Sequence, residues 1–390
     1  MTKNLENKIK KDVIETKLSN IYAFSEKISV IPDLVKLTLG EPDFATPKHV
    51  KEAAIEAIND DESHYTTTRG RMETRKAAAD FLKNKYDVEY DPATELVITN
   101  GVTEAMYDTI ATFIDDGDEV LIPTPAFPVY YSLVDIFGGK LVQINTQPDG
   151  FLMTPARLQA AIDAHPNAKM IILNFPSNPT GRTYSADQME KIADVLAKTD
   201  MVVVSDEIYS ELTYGQKHTS IARFIPDQTI LFNGLSKSHA MTGWRIGIFA
   251  GPANLVEQIA KVHELVTTSV MTASQVAAEE AFSNGQDDAQ PMVEQYIKRR
   301  DYLHSALEKL GFANQLPEGA FYIFAKIPAN LNQNSYDFCI DVAQQVGVGM
   351  IPGSSFGDGG EGYVRLSYAT SMDNIQEALR RLQKYVEAHK

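Results

Sequence analysis

Met201-Val202-Val203-Val204-Ser205-Asp206-Glu207-Ile208-Tyr209 begins as an unbroken apolar run and then turns abruptly polar. A half-buried strand would alternate apolar with polar residues. A run without alternation is covered on both faces, the condition of a strand inside a mostly parallel sheet flanked by helices. The predicted fold is therefore α/β. Asp206 sits where that strand emerges, and a carboxylate at the edge of an apolar layer is costly without a partner.

Further strand-length runs lie on either side: Glu95–Thr99, Glu119–Pro123, Lys140–Ile144, Met170–Asn174, Met201–Ser205, Thr229–Asn233 and Arg245–Ala250. Together they predict one seven-stranded sheet, with helical stretches such as Ser185–Lys198 between the strands. A helix is expected to start at Thr46-Pro47, with Thr as cap and Pro in the first turn, and another to run over Gly70–Leu82. After Asn284-Gly285 the texture changes to a charged helix at Met292–Leu310, a strand at Ala320–Ile327, a helix at Tyr336–Val346 and a strand at Tyr363–Tyr368. Ile21, Phe24 and Ile28 fall at helical spacing ahead of a strand over Leu34–Leu39. The expected division is residues 46–285 as a large domain and 286–390 as a smaller α+β domain, with residues 1–45 packed against the latter.

A chain of 390 residues exceeds one ordinary core, and 44% hydrophobic against 23% charged residues points to a compact globular protein. The 36 basic residues face 52 acidic ones, a net charge of -16 that opposes binding to nucleic acid. The single cysteine, Cys339, lies in an apolar helical stretch and cannot form an internal disulfide, so it reads as a core residue of a cytoplasmic protein. Met1–Lys17 alternates Lys with Asp, Glu and Asn and has no apolar signal core. No apolar run approaches the roughly 20 residues a bilayer requires, so no membrane span is expected. The histidines form no two-ligand helical spacing, and no metal is predicted.

The chemistry concentrates in Asn233-Gly234-Leu235-Ser236-Lys237-Ser238-His239-Ala240-Met241-Thr242-Gly243-Trp244-Arg245-Ile246-Gly247. Small residues let a flat ligand approach the backbone, and a confined lysine can lose its proton and attack a carbonyl as a neutral amine. From Gly234 to Gly247 the segment resembles the lysine site of the class I and II aminotransferases, the fold-type I pyridoxal-phosphate enzymes. The resemblance extends from about Leu34 to the C-terminal helix.

It implies that Lys237 holds pyridoxal phosphate covalently and shuttles a proton between the substrate α-carbon and the cofactor. Arg245, with Ser236, would bind the phosphate, and Thr99-Asn100-Gly101-Val102-Thr103-Glu104-Ala105 resembles the second phosphate element, where a helix begins. Asp206 would keep the ring nitrogen protonated. Tyr209, together with Asn178 in Asn178-Pro179-Thr180-Gly181, would hydrogen-bond the 3′ oxygen. Phe127 falls where the family stacks an aromatic ring on the cofactor, although a core aromatic would look the same. Arg365, inside an apolar strand, demands an anion, which the resemblance identifies as the substrate α-carboxylate, with Gly40 approaching the same group. Tyr65 resembles the tyrosine that reaches the phosphate of the neighbouring subunit, implying a homodimer with shared sites.

The implied reaction is transfer of an amino group from an L-amino acid to a 2-oxo acid such as 2-oxoglutarate. The segments around Ile31–Asp43, Tyr65–Gly70 and the lysine loop look most like the bacterial branch of aromatic and N-acetyl-diaminopimelate aminotransferases. Aromatic donors are favoured. Arg69, if it received a distal carboxylate, would favour aspartate or an acetylated diaminopimelate instead, and a carbon-sulfur β-lyase is a further alternative.

Overall fold

The computed structural model describes residues 5–16 and 20–389, so part of the Met1–Lys17 reading lies outside the described residues. The strands in chain order are β1 (Val35–Lys36), β2 (Leu96–Thr99), β3 (Glu119–Thr124), β4 (Lys140–Asn145), β5 (Met170–Asn174), β6 (Val202–Asp206), β7 (Thr229–Gly234), β8 (Gly247–Ala250), β9 (Tyr322–Lys326), β10 (Val348–Gly349), β11 (Ile351–Pro352) and β12 (Tyr363–Ser367).

Seven of these form one sheet in the order β2-β8-β7-β6-β5-β3-β4. All its neighbours are parallel except at β8, which runs antiparallel to both β7 and β2. Every residue of β2, β5, β7 and β8 is buried, as the unbroken apolar runs require. Helices such as Met72–Tyr86, Ala186–Leu196 and Ala253–Thr267 supply the cover. Each large apolar side chain withdrawn from water in these layers contributes about 1.5–3 kcal/mol.

Strand direction fixes where chemistry can collect. β5, β6 and β7 end at Asn174, Asp206 and Gly234 on one edge of the sheet. Because β8 is reversed, its first residue, Gly247, lies opposite Gly234 on β7 and opposite Thr99 at the end of β2. The Lys237 segment is thus the connection between two antiparallel neighbours. The loops after six strands, β2 to β7, open on the same edge, where ligands collect in open α/β sheets.

A second layer holds the three-stranded antiparallel sheet β11-β12-β9, and β1 pairs in parallel with β10. Ile21, Phe24 and Ile28 share one apolar core with Phe338, Cys339 and Leu382. The N-terminal helix Asn20–Ser29 therefore packs with the C-terminal elements, and Cys339 is a buried core residue.

Three local expectations change. The strand expected over Leu34–Leu39 is regular only at Val35–Lys36, because its partner β10 is equally short. Arg245 does not extend β8, since its φ of 56° is left-handed, a turn conformation rather than a strand one. Thr46 does not cap the helix Lys48–Asn59: its hydroxyl donates to the Ala240 carbonyl at 2.9 Å and accepts from Trp244 Nε1 at 3.1 Å.

Candidate active site

A cavity of about 550 Å³ opens at this edge, roofed by the helix Asn20–Ser29 and the segment from Lys36 to Glu41. Lys237 lies half-buried on its wall, with Nζ donating to the Gly40 carbonyl at 2.6 Å. Removal from water lowers its pKa to about 8, against the pull of the Glu41 and Asp206 carboxylates and with the help of Arg245 and Arg365. A neutral amine is therefore accessible near physiological pH, as the sequence suggested.

Asp206 is buried at the end of β6. Burial raises its pKa to about 6 even though Tyr130 donates to Oδ2 at 2.7 Å and the Ile208 amide to Oδ1 at 3.1 Å. Asn174 steadies the same turn: its side-chain amide donates to the Asp206 carbonyl, and its Oδ1 accepts from the Asn178 amide at 3.0 Å. A carboxylate so placed is stabilised by any cation brought into the cavity.

A corner suited to an anion forms where β2 meets the helix Val102–Phe113. The first amides of that helix, on Val102 and Thr103, have no partner within the helix and add their positive dipole end. Arg245 curls back over them, donating from Nη1 to Thr242 O at 3.0 Å and from Nη2 to Asn100 O at 3.1 Å. The approach needs glycine at two places. A Cβ on Gly101, whose φ is +80°, would lie 2.5 Å from Arg245 Nη2, and one on Gly247 would lie 2.5 Å from the Gly101 carbonyl carbon. Ser236 and Thr103 add hydroxyls to the same lining.

Opposite stands Arg365 on β12, only 2% exposed. Its Nη1 donates to Asn178 Oδ1 at 3.0 Å and its Nη2 to Thr38 O at 2.8 Å, while Nε has no partner. The Tyr322 ring lies 4.4 Å from the guanidinium carbon, and the Tyr322 hydroxyl meets that of Tyr209 at 2.9 Å. Among the described residues no carboxylate pairs with Arg365. A buried guanidinium held by carbonyls and aromatic rings, with no carboxylate, can receive an anion.

The cavity thus gathers Lys237, Asp206, Tyr209, Val102, Thr103, Phe127, Asn178, Ser236, Arg245, Gly40 and Arg365. Gly101 borders it through Arg245. Tyr65 is not brought in: it is 86% exposed. Arg69 also stays outside, donating to Thr94 O at 2.9 Å. Sequence reasoning missed Tyr130 and Tyr322, whose hydroxyls hold Asp206 and Tyr209. Tyr130 had one available signal, lying one helical turn beyond Phe127.

Beside the anion corner, His263 Nδ1 sits 3.2 Å from Glu104 and 3.4 Å from Asp108, while Nε2 faces Thr68 O at 2.9 Å. The histidine reading did not anticipate this group, whose ligand atoms lie within 4.8 Å of one another. Burial opposes protonation of the ring, but the two carboxylates outweigh it and raise the pKa to about 9. The two carboxylates thus favour the protonated ring. Glu104 also accepts from the Asn100 amide and the Thr267 hydroxyl, tying the triad to the Arg245 corner.

The family model for aminotransferase class I and II matches residues 32–382. The chain belongs to this family. A probable N-acetyl-LL-diaminopimelate aminotransferase of Bacillus subtilis is 44% identical over 95% of this chain and 94% of its own. The aspartate aminotransferase of Thermus thermophilus, solved with maleate, superposes with a TM-score of 0.91 at 36% identity, covering 96% of this chain and 99% of that one. The aromatic aminotransferase of Pyrococcus horikoshii gives 0.88 at 36%, over 94% and 99%. Aminotransferases of this family work with pyridoxal phosphate. The donor set fits that cofactor: a helix end and Arg245 suit its phosphate, Asp206 its pyridine nitrogen and Lys237 its aldehyde. No helix among the described residues is long and apolar enough to cross a membrane.

Proposed function

We propose that this aminotransferase moves the amino group of an aromatic L-amino acid to a 2-oxo acid such as 2-oxoglutarate. The observation that carries the reading is Lys237, with its pKa lowered to about 8, set in one cavity with the buried carboxylate of Asp206 and the carboxylate-free guanidinium of Arg365. Ile21, Tyr22, Ile28 and Leu39 give the cavity apolar lining, which favours an aromatic donor. The names of the relatives also support N-acetyl-diaminopimelate or aspartate as donor.

Bound pyridoxal phosphate supplies an electron sink for the negative charge that develops at the substrate α-carbon. Arg245, Ser236 and the amides of Val102 and Thr103, beside Gly101, would hold its phosphate, and Phe127 would lie against its ring. Asp206 keeps a proton on the ring nitrogen, while Tyr209 and Asn178 hydrogen-bond the 3′ oxygen. Arg365 grips the α-carboxylate beside Gly40 and so orients the α-carbon towards Lys237. Lys237 Nζ would then take the α-proton and later give a proton back, acting as base and acid in turn. Tyr209 and Asp206 tune the reaction without moving.

On the same reading residues 46–285 form the cofactor-holding domain, and 1–45 with 286–390 the smaller one. The enzyme works as a cytoplasmic homodimer in which the exposed Tyr65 of each subunit reaches the other's phosphate, on small-molecule substrates without nucleic acid or membrane. Borohydride reduction of the loaded enzyme followed by peptide mapping tests the central assignment, with the label expected on Lys237. Label on another residue refutes it. A panel of amino acids, followed by loss of the cofactor's visible absorbance, ranks the donors. Phenylalanine or tyrosine should respond best, and a response to aspartate or acetylated diaminopimelate alone would overturn the aromatic assignment. Release of ammonia and pyruvate from cystathionine would mark a β-lyase.

A further inference from the structure

We infer that His263 is a positioning residue for the cofactor phosphate, acting through Glu104 on the Asn100 backbone that holds Arg245. The inference rests on the reading of Arg245 and the adjoining helix end as the seat of that phosphate. Arg245 Nη2 donates to the Asn100 carbonyl at 3.1 Å, and the Asn100 amide donates to Glu104 Oε2. Glu104 Oε1 accepts from the Thr267 hydroxyl, which itself accepts from the Asn100 side-chain amide at 3.3 Å. Asn100 is thus held at its backbone and at its side chain, both times by way of Glu104.

His263 keeps that carboxylate in place. Its Nδ1 lies 3.2 Å from Glu104 Oε1 and 3.4 Å from Asp108 Oδ2. Its Nε2 donates to Thr68 O at 2.9 Å, which fixes the ring with Nδ1 towards the acids. Glu104 and Asp108 stand one turn apart on the helix whose first amides face the anion corner, and like charges at that spacing repel. His263 and Asp108 are fully buried, so water does little to screen the pair. Burial raises the Asp108 pKa; it would also raise that of Glu104, but hydrogen bonds from His263, Thr267 and the Asn100 amide hold Glu104 below its usual range. Without the charged ring, Glu104 loosens its hold on Asn100 by taking a proton or turning away. The disturbance reaches Arg245 directly, because the corner is close-packed: a Cβ on Gly101 would lie 2.5 Å from Arg245 Nη2.

The test strips the cofactor from the full chain and measures Kd for pyridoxal phosphate and for pyridoxal, which shares the ring and aldehyde but lacks the phosphate. His263→Gln removes the charge and should raise Kd for pyridoxal phosphate about tenfold, or about 1.4 kcal/mol, while leaving that for pyridoxal near wild type. The phosphorus NMR resonance of the bound cofactor should shift as well. Asp108→Asn leaves the link from Glu104 to Asn100 intact and should bind both ligands as the wild type does. If His263→Gln does not fold, combining it with Asp108→Asn buries one charge fewer and should show the same selective loss. Equal losses for both ligands, or a selective loss in Asp108→Asn alone, would overturn the inference. A wild type that binds pyridoxal as tightly as pyridoxal phosphate would overturn the phosphate seat, and this inference with it. A wild type that prefers pyridoxal phosphate, with no selective loss in the His263 variants, would refute the inference alone.

Discussion

Replacing Arg365 with methionine separates a receptor arginine from a structural one. Each hydrogen bond to a charged partner contributes about 1.5–3 kcal/mol, and a bidentate grip on the α-carboxylate makes two. Losing both lowers kcat/KM for the donor by about 3–6 kcal/mol, or roughly a hundredfold to ten-thousandfold. Stability should respond far less. The wild-type guanidinium is buried without a counter-charge, held by two carbonyls and the Tyr322 ring, and burying an ion costs several kcal/mol. Methionine removes that penalty together with those contacts, and water in the open cavity can satisfy Asn178 and Thr38. The denaturation midpoint should therefore correspond to a change within about 2 kcal/mol. Single-turnover kinetics with phenylalanine, alongside urea melts of the same samples, measure both quantities. A loss below tenfold, or unfolding that accounts for the lost activity, would refute the receptor role.

Three further substitutions test the rest of the site. Asp206 has its pKa raised by burial to about 6, above the roughly 3.9 of an unfolded chain, so its contribution to stability grows as pH falls from 6 towards 4 and shrinks as pH rises. Asp206→Asn should thus stabilise the cofactor-free protein at pH 7 by an amount on the order of 2–3 kcal/mol while abolishing amino transfer; an unchanged or lower urea midpoint would contradict this. Tyr130→Phe removes the donor that favours the ionised carboxylate, and should move the Asp206 titration up by about one unit when followed by infrared spectroscopy, whereas a downward shift would exclude that role. Gly247→Ala places a methyl 2.5 Å from the Gly101 carbonyl carbon, and should destabilise the protein by about 1–3 kcal/mol and speed cofactor loss on dialysis; retention equal to wild type would show that the corner can relax.

The sheet was legible because its strands are unbroken apolar runs, and two-sided burial leaves that mark in local sequence. The reversal of β8 was not, because strand direction depends on which neighbour a segment meets. Lys237, Asp206 and Arg365 stood out as charged groups in apolar or small-residue surroundings, and the family resemblance named their partners. Tyr130 and Tyr322 carried no such mark, since a buried tyrosine reads as core until its hydroxyl's partner is known. The His263 triad was hidden for a different reason: its carboxylates lie one turn apart on one helix, and its imidazole sits on another far along the chain.

Thr38 and Arg365 are 327 residues apart, and their hydrogen bond closes the substrate end of the cavity. During synthesis, therefore, the substrate end cannot close until nearly the whole polypeptide has left the ribosome, however early the strands around Asp206 collapse. A messenger truncated before the codon for Arg365 would yield a protein able to build much of the central sheet yet unable to seize an amino acid.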